Sequence, residues 1–171
     1  MISYFIVHNT KKQNNFYINK LFFKDDVYFP HLHIFINMNW NYISGFFDAD
    51  GYITMVSPNK GKNKTLYVGF TNVELNILEE IKDFIESEIN VKGSISKKNS
   101  RQENHSDSYD LKYLYNNALK VIEQIDSHHP KKKHRKEIVI EQYLKLTPRN
   151  GKYTDEMKEK REKMVETFFS H

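Results

Sequence analysis

WNYISGFFDADGYITM, from Trp40 to Met55, carries an apolar run of helical length into two aspartates one residue apart and then directly into strand-like sequence. Asn41 can cap a helix running through Phe47, and Gly51 supplies a C-terminal stop of the kind helices use. Asp48 and Asp50 then fall at the C-terminal end of that helix, where the backbone dipole is already negative, so they are misplaced unless something positive meets them. Two readings stand. Either the acids help hold a hard divalent cation such as Mg²⁺ or Ca²⁺, with a backbone carbonyl, waters and phosphate oxygens completing the shell, or they cap backbone groups and pair with lysine. An EF-hand is excluded, because its loop needs Gly at position six and Glu at position twelve, whereas Gly51 is fourth counted from Asp48. Gly45 and Ala49, four residues apart, leave a shallow helix face that another backbone can approach closely.

Working outward, YITMVSP and TLYVGFT are strand-like runs flanking the turn-rich SPNKGKNK, which predicts a hairpin. VELNILEEIKDFIESEI places Leu75, Leu78, Ile81, Ile85 and Ile89 on one face of an amphipathic helix. GSISKK and SYDLKYLY give a second pair of short strands, and NNALKVIEQI another helix ending before Pro130. HRKEIVIEQYLKL predicts a helix, as does TDEMKEKREKMVETFF, which opens on a Thr cap. The DADG stretch occurs once, and no internal repeat is present. Residues 1–37 are dense in aromatics without a sustained period and form an N-terminal extension, either an accessory arm or translated sequence upstream of the domain at 38–171.

A chain of 171 residues suits one domain with a real core plus extensions. It has no cysteine, which excludes a disulfide framework, thiolate metal sites and a cysteine nucleophile. Its net charge of +4 is clustered, most densely in KKKHRK from Lys131 to Lys136, which favours a polyanionic partner over a merely solvated helix start. His128, His129 and His134 lie among those lysines and receive no zinc assignment, since adjacent histidines beside lysine more often meet phosphate or water. No apolar stretch reaches the length of a membrane span, and the N-terminus is a poor secretory signal.

Ile43 to Gly51, ISGFFDADG, resembles the LAGLIDADG motif of homing endonucleases, with Gly45, Asp48, Ala49, Asp50 and Gly51 identical and Ser44 keeping a small residue small. The order of helix, hairpin, helix, hairpin and helices over about residues 39 to 169 resembles a half-domain of that family. The resemblance implies an α+β fold, αββαββα plus C-terminal helices, with an antiparallel saddle-shaped sheet and dimerisation through the motif helix. Family members with one motif are homodimers, and those with two are monomers. It further implies that Gly45, Asp48 and Ala49 lie at the dimer interface and that Asp50, with the carbonyl of Ala49, binds Mg²⁺ as the catalytic acid. Asn72 would stand where a Gln is usual, with Glu74 as the rival position. A lysine ahead of the late helix would approach the site: Lys132, or Lys131 or Lys133 one residue away.

A two-stranded ribbon fits the major groove, where base edges carry a readable donor and acceptor pattern. Period-two alternation puts Ile53, Met55, Leu66, Val68 and Phe70 on the core side and Thr54, Val56, Thr65, Tyr67 and Thr71 on the other. The second hairpin presents Ser94, Ser96, Lys98, Asp110 and Lys112. Any half-solvated antiparallel sheet alternates in this way, so the motif, not the alternation, points to DNA. Lys60, Lys62 and Lys64 in the turn, with Lys131 and Lys133, would meet phosphates.

The expected function is thus that of an intron-encoded, homodimeric endonuclease making a Mg²⁺-dependent staggered break in a long near-palindromic double-stranded DNA site. The alternatives are a maturase of the same fold that binds intron RNA, a non-catalytic DNA-binding regulator, and an unrelated small α+β domain. The abundance of Asn, Lys, Ile, Tyr and Phe is typical of AT-rich coding DNA and favours a mitochondrial or chloroplast genome.

Overall fold

The computed structural model describes residues 38–57, 64–99, 106–148 and 151–170; Lys60, Lys62 and the extension at 1–37 lie outside the described residues. The first helix, α1, spans Trp40–Asp50 and is capped one turn ahead of Ile43 by Asn39, whose side-chain oxygen accepts the Tyr42 N–H at 2.9 Å. This corrects the cap expected at Asn41, which is exposed. Starting at Asn39 turns Ile43, Ser44 and Phe47 inward, and packing of that face chooses between two equally capable asparagines. Gly51 does stop α1, as its C-cap with its N–H donating to the Phe47 carbonyl, and it is at once the first strand residue, with extended backbone. Glycine is required there by space, because a Cβ would lie 2.7 Å from the Phe47 Cα.

Strand β1, Gly51–Val56, pairs antiparallel with β2, Thr65–Asn72, from Gly51 opposite Phe70 to Val56 opposite Thr65. Helix α2, Leu75–Ile89, buries Leu78, Ile81 and Ile85 and ends on Asn90 in the left-handed conformation. Strands β3, Ser94–Lys98, and β4, Ser108–Leu114, form the second hairpin, and β4 returns to pair with β2, so the sheet order is β1-β2-β4-β3, antiparallel throughout. The topology is α+β, as expected.

One face of the sheet carries Ile53, Met55, Leu66, Val68, Phe70, Leu111 and Tyr113, all buried beneath the helices. Burying each aliphatic side chain contributes about 1.5–3 kcal/mol, so this face dominates the fold's stability. Helix α3, Tyr115–Gln124, covers β2 and β4 with Ala118, Leu119, Val121 and Ile122. Helix α4, Pro130–Gln142, begins with Pro at its start, so the basic run lies within the helix and not ahead of it. Helix α5, Asp155–Phe169, is capped by Thr154 and has acids in its first turn.

The last two helices are tied to the sheet by arginines. Arg161 is buried and donates to the Leu146 carbonyl at 2.9 Å, to Thr147 and to the Lys64 carbonyl. Arg135 donates to the carbonyls of Ile53 at 3.1 Å and Phe168 at 3.2 Å. Among the described residues no helix is long and apolar enough to cross a membrane.

Candidate active site

The two aspartates that end α1 have different surroundings. Asp48 turns toward the segment before α4: its Oδ1 accepts from the Ser127 hydroxyl at 2.5 Å and its Oδ2 from the His128 N–H at 2.8 Å. The α1 acid therefore lies where the α4 dipole is positive, which removes the electrostatic misfit it would have on its own helix. Burial would raise the Asp48 carboxyl, but Ser127, the backbone N–H groups of His128 and His129, and Lys132 together hold it below its ordinary value.

In the other direction, the Lys132 ammonium from the first turn of α4 donates to the carbonyls of Phe47 at 2.7 Å and Asp48 at 2.9 Å, capping α1. It also lies 5.3 Å from the Phe47 ring centroid. Burial lowers the Lys132 ammonium's affinity for its proton, against the opposing pull of Asp48 and Asp50. Of the three adjacent lysines, Lys132 is the one that reaches α1; Lys131 and Lys133 are exposed.

Asp50, one residue beyond Ala49, is exposed, and its Oδ2 accepts from the Asn72 side-chain amide at 2.8 Å. Asn72 ends β2, and its own Oδ1 accepts the Glu74 N–H at 2.9 Å, which fixes the amide's orientation. Glu74, the rival position, is exposed and sits just before α2 with no side-chain cap contact. Strand pairing thus carries Asn72 to the helix end from 22 residues away.

Lys132 takes the carbonyls of Phe47 and Asp48 and leaves that of Ala49. The Ala49 carbonyl and the Asp50 carboxylate are hard-oxygen donors adjacent in sequence, of the type suited to an ion that keeps waters and takes phosphate oxygens. They are not a closed cage, since among the described residues no three His, Asp or Glu side chains are grouped to hold a metal. Gly45 and Ala49 are exposed on the outward side of α1, and a Cβ at Gly45 would meet nothing within 4 Å.

The sheet face opposite the core is polar and spans all four strands. Thr54, Val56, Tyr67, Thr71, Ser94, Ser96, Lys98 and Lys112 are half-buried or exposed there. Three residues expected to meet DNA, two on this face and one in the turn beside it, are less open than their neighbours. Thr65 is buried at 7 % exposure, at the start of β2 where Arg161 holds the preceding carbonyl. Lys64 turns its ammonium onto the Phe169 ring, 4.6 Å from the centroid, and not outward from the turn. Asp110 is 1 % exposed, enclosed by neighbouring side chains.

Sequence reasoning missed Ser127 and His128 as partners of Asp48, although a serine shortly before a proline-initiated helix is a cap signal. It also missed Tyr52, which shares the polar face and donates to Asp110 at 3.2 Å.

The fold is shared with known proteins. An archaeal intron-encoded homing endonuclease, I-Vdi141I, solved in complex with DNA, superposes with a TM-score of 0.52 at 16% identity, over 75% of this chain and 80% of that one. The LAGLIDADG homing endonuclease I-GzeII, solved in complex with its DNA target, gives a TM-score of 0.50 at 19% identity, over 78% of this chain and 44% of that one. No curated protein matches the sequence. The LAGLIDADG-like domain matches residues 38–128, more than half of the 171. That span holds α1 with its aspartates, both hairpins, α2 and α3, and on this ground the chain belongs to the LAGLIDADG-like domain family.

Proposed function

We propose that two copies of this chain form a sequence-specific endonuclease that hydrolyses one phosphodiester in each strand of a long, near-palindromic DNA site, with Mg²⁺ as cofactor. The observation that carries this reading is the setting of Asp50: an exposed carboxylate, fixed by Asn72, at the point where α1 passes into β1 of the open polar sheet. The DNA-bound neighbours support the choice of polymer. A single motif, in a chain that spans 44% of one such neighbour, supports assembly from two copies. The exposed Gly45 and Ala49 face is the surface on which two α1 helices would meet, bringing two Asp50 carboxylates to one axis.

In this reading Asp50 and the Ala49 carbonyl hold the cofactor, and when bound it supplies charge neutralisation at the scissile phosphate and a more acidic water. Asn72 holds Asp50 in orientation. Lys132 keeps the α1 end intact and adds positive charge beside the phosphate. The polar sheet face lies in the major groove and selects the site. The Asn- and Lys-rich composition supports a mobile intron of a mitochondrial or chloroplast genome as the source.

The test is a cleavage assay on DNA joining the exons that flank the gene's own intron, with Mg²⁺, with Ca²⁺ and with chelator. A discrete staggered cut with Mg²⁺ alone is the expected result, and Asp50→Asn should abolish the cut while the DNA is still bound. Absence of any cut, with the intron RNA bound in its place, would replace this reading with that of a maturase.

A further inference from the structure

Asp110 stands on the outward face of β4, yet it is 1 % exposed. What covers it comes from every strand of the sheet. Its Oδ1 accepts from the Thr71 hydroxyl of β2 at 3.0 Å and the Lys98 ammonium of β3 at 3.1 Å. Its Oδ2 accepts from the Tyr52 hydroxyl of β1 at 3.2 Å and from Lys112, two residues on along β4, at 3.2 Å. Four donors fill the acceptor positions that a carboxylate offers, and a buried carboxylate needs such saturation to be tolerated. Gly69, opposite Tyr52, makes the arrangement possible, since a Cβ there would come 2.6 Å from the Tyr52 ring. Burial first, and then the charge of Asp110, push the Tyr52 phenol well above its usual range, so it remains a donor.

The two lysines are only partly engaged. An ammonium has three N–H donors, and the side chains of Lys98 and Lys112 are 49% and 31% exposed while each holds Asp110. Lys98 lies 6.0 Å from the Tyr52 ring centroid and Lys112 5.9 Å from that of Tyr67. A free surface lysine samples many rotamers and meets phosphate as a point charge. These two are pinned to one carboxylate on the outer face of the sheet and, being partly exposed, keep donors to spare.

We propose that Asp110 is a positioning residue that turns Lys98 and Lys112 from phosphate binders into aimed base readers, and that the base they select is guanine. Guanine presents two adjacent acceptors, O6 and N7, on its major-groove edge, enough for both ammonium groups; adenine sets an amino donor beside its N7, cytosine offers the amino donor, and thymine has the single acceptor O4 beside its methyl group. Asp110 itself has no acceptor capacity left for a base. This inference rests on the reading of the chain as a DNA endonuclease that uses this face.

The experiment is selection of bound duplexes from a randomised DNA pool by the full chain, without cleavage cofactor, followed by affinity and salt titrations on the winning sequence. Wild type should enrich a motif with a guanine in each half-site, favoured about tenfold or more over the other bases. Asp110→Asn should make that position degenerate while leaving the other positions selected. Non-specific affinity should rise, and the log–log salt slope should steepen by up to about two phosphate contacts' worth. Lys98→Met with Lys112→Met should lose the same guanine without the gain in non-specific affinity, and this arm stands even if Asp110→Asn melts early. An unchanged motif in Asp110→Asn or in the lysine variant, or dependence on a base other than guanine, overturns the proposal and leaves the endonuclease reading standing. Failure of wild type to enrich any sequence overturns that reading, and the proposal with it.

Discussion

Asp48 and Lys132 are exchanged between two helix ends: the carboxylate of α1 lies before the α4 N-terminus, and the ammonium of α4 caps the α1 carbonyls at 2.7 and 2.9 Å. Each charge is unfavourable on its own helix and favourable on the other. Lys132→Met should therefore cost about 1.5–3 kcal/mol, the range for hydrogen bonds to charged groups. Asp48→Asn, which turns an acceptor into a donor facing Ser127 or His128, should cost about 1–2 kcal/mol. Because both act on one junction, the double variant should lose less than the sum. Urea midpoints of the three variants check this, and strict additivity would show two independent contacts.

Gly45 has nothing within 4 Å of where its Cβ would be. Gly45→Leu should accordingly leave the monomer folded, with about 0.5–1 kcal/mol of helix propensity gained by removing glycine. On the proposed assembly of two copies, the same substitution should split the dimer and abolish cleavage. Sedimentation equilibrium reads the assembly and thermal melting the fold; a Gly45→Leu variant that stays dimeric would remove α1 from the interface.

Asn72 serves two groups, donating to Asp50 and accepting from the Glu74 N–H. On the proposed function, Asn72→Ala should lower cleavage about 10- to 100-fold, the loss expected when a metal ligand loses its orienting partner. DNA affinity should change little, and stability should fall by about 1 kcal/mol through the lost turn contact. Single-turnover kinetics beside a binding titration separate these effects, and a cleavage rate equal to wild type would detach Asn72 from the chemistry.

Gly51→Ala places a methyl group 2.2 Å from the Phe47 ring and 2.7 Å from its backbone Cα. The ring can swing but the backbone cannot, so a cost of about 1–3 kcal/mol is expected from overpacking. Cleavage should fall further than stability explains, because Asp50 is the adjacent residue. Midpoint shifts and cleavage rates measured on the same preparation test the pair of expectations.

The element order was legible because each element has its own period: Ile53, Met55, Leu66, Val68 and Phe70 alternate, and Leu78, Ile81 and Ile85 repeat as a helix. The motif pointed to Asp50 but could not tell that Asp48 would face another helix, since that depends on the segment before α4, 79 residues away. Burial of Asp110 was illegible for a similar reason. Alternation assigned it correctly to the outer face, yet its cover comes from three other strands brought together only by the β2 to β4 pairing. Arg161 sits in a run of charged residues that reads as a wholly solvated helix, and only the path of α5 past Lys64 buries it. Asn39 and Asn41 are equally good caps by chemistry, and the choice between them was made by what lies under Ile43 and Phe47.

Helix α1 ends at Asp50 and strand β1 begins at Gly51, with no residue between them. There is consequently no hinge between the part that would cut and the part that would read. On the proposed function the two would act as one ruler: a duplex laid across the sheet would meet Asp50 at a fixed offset from the bases touched by the strands. Exchanging strand side chains would change which sequence is chosen without moving the cut along it.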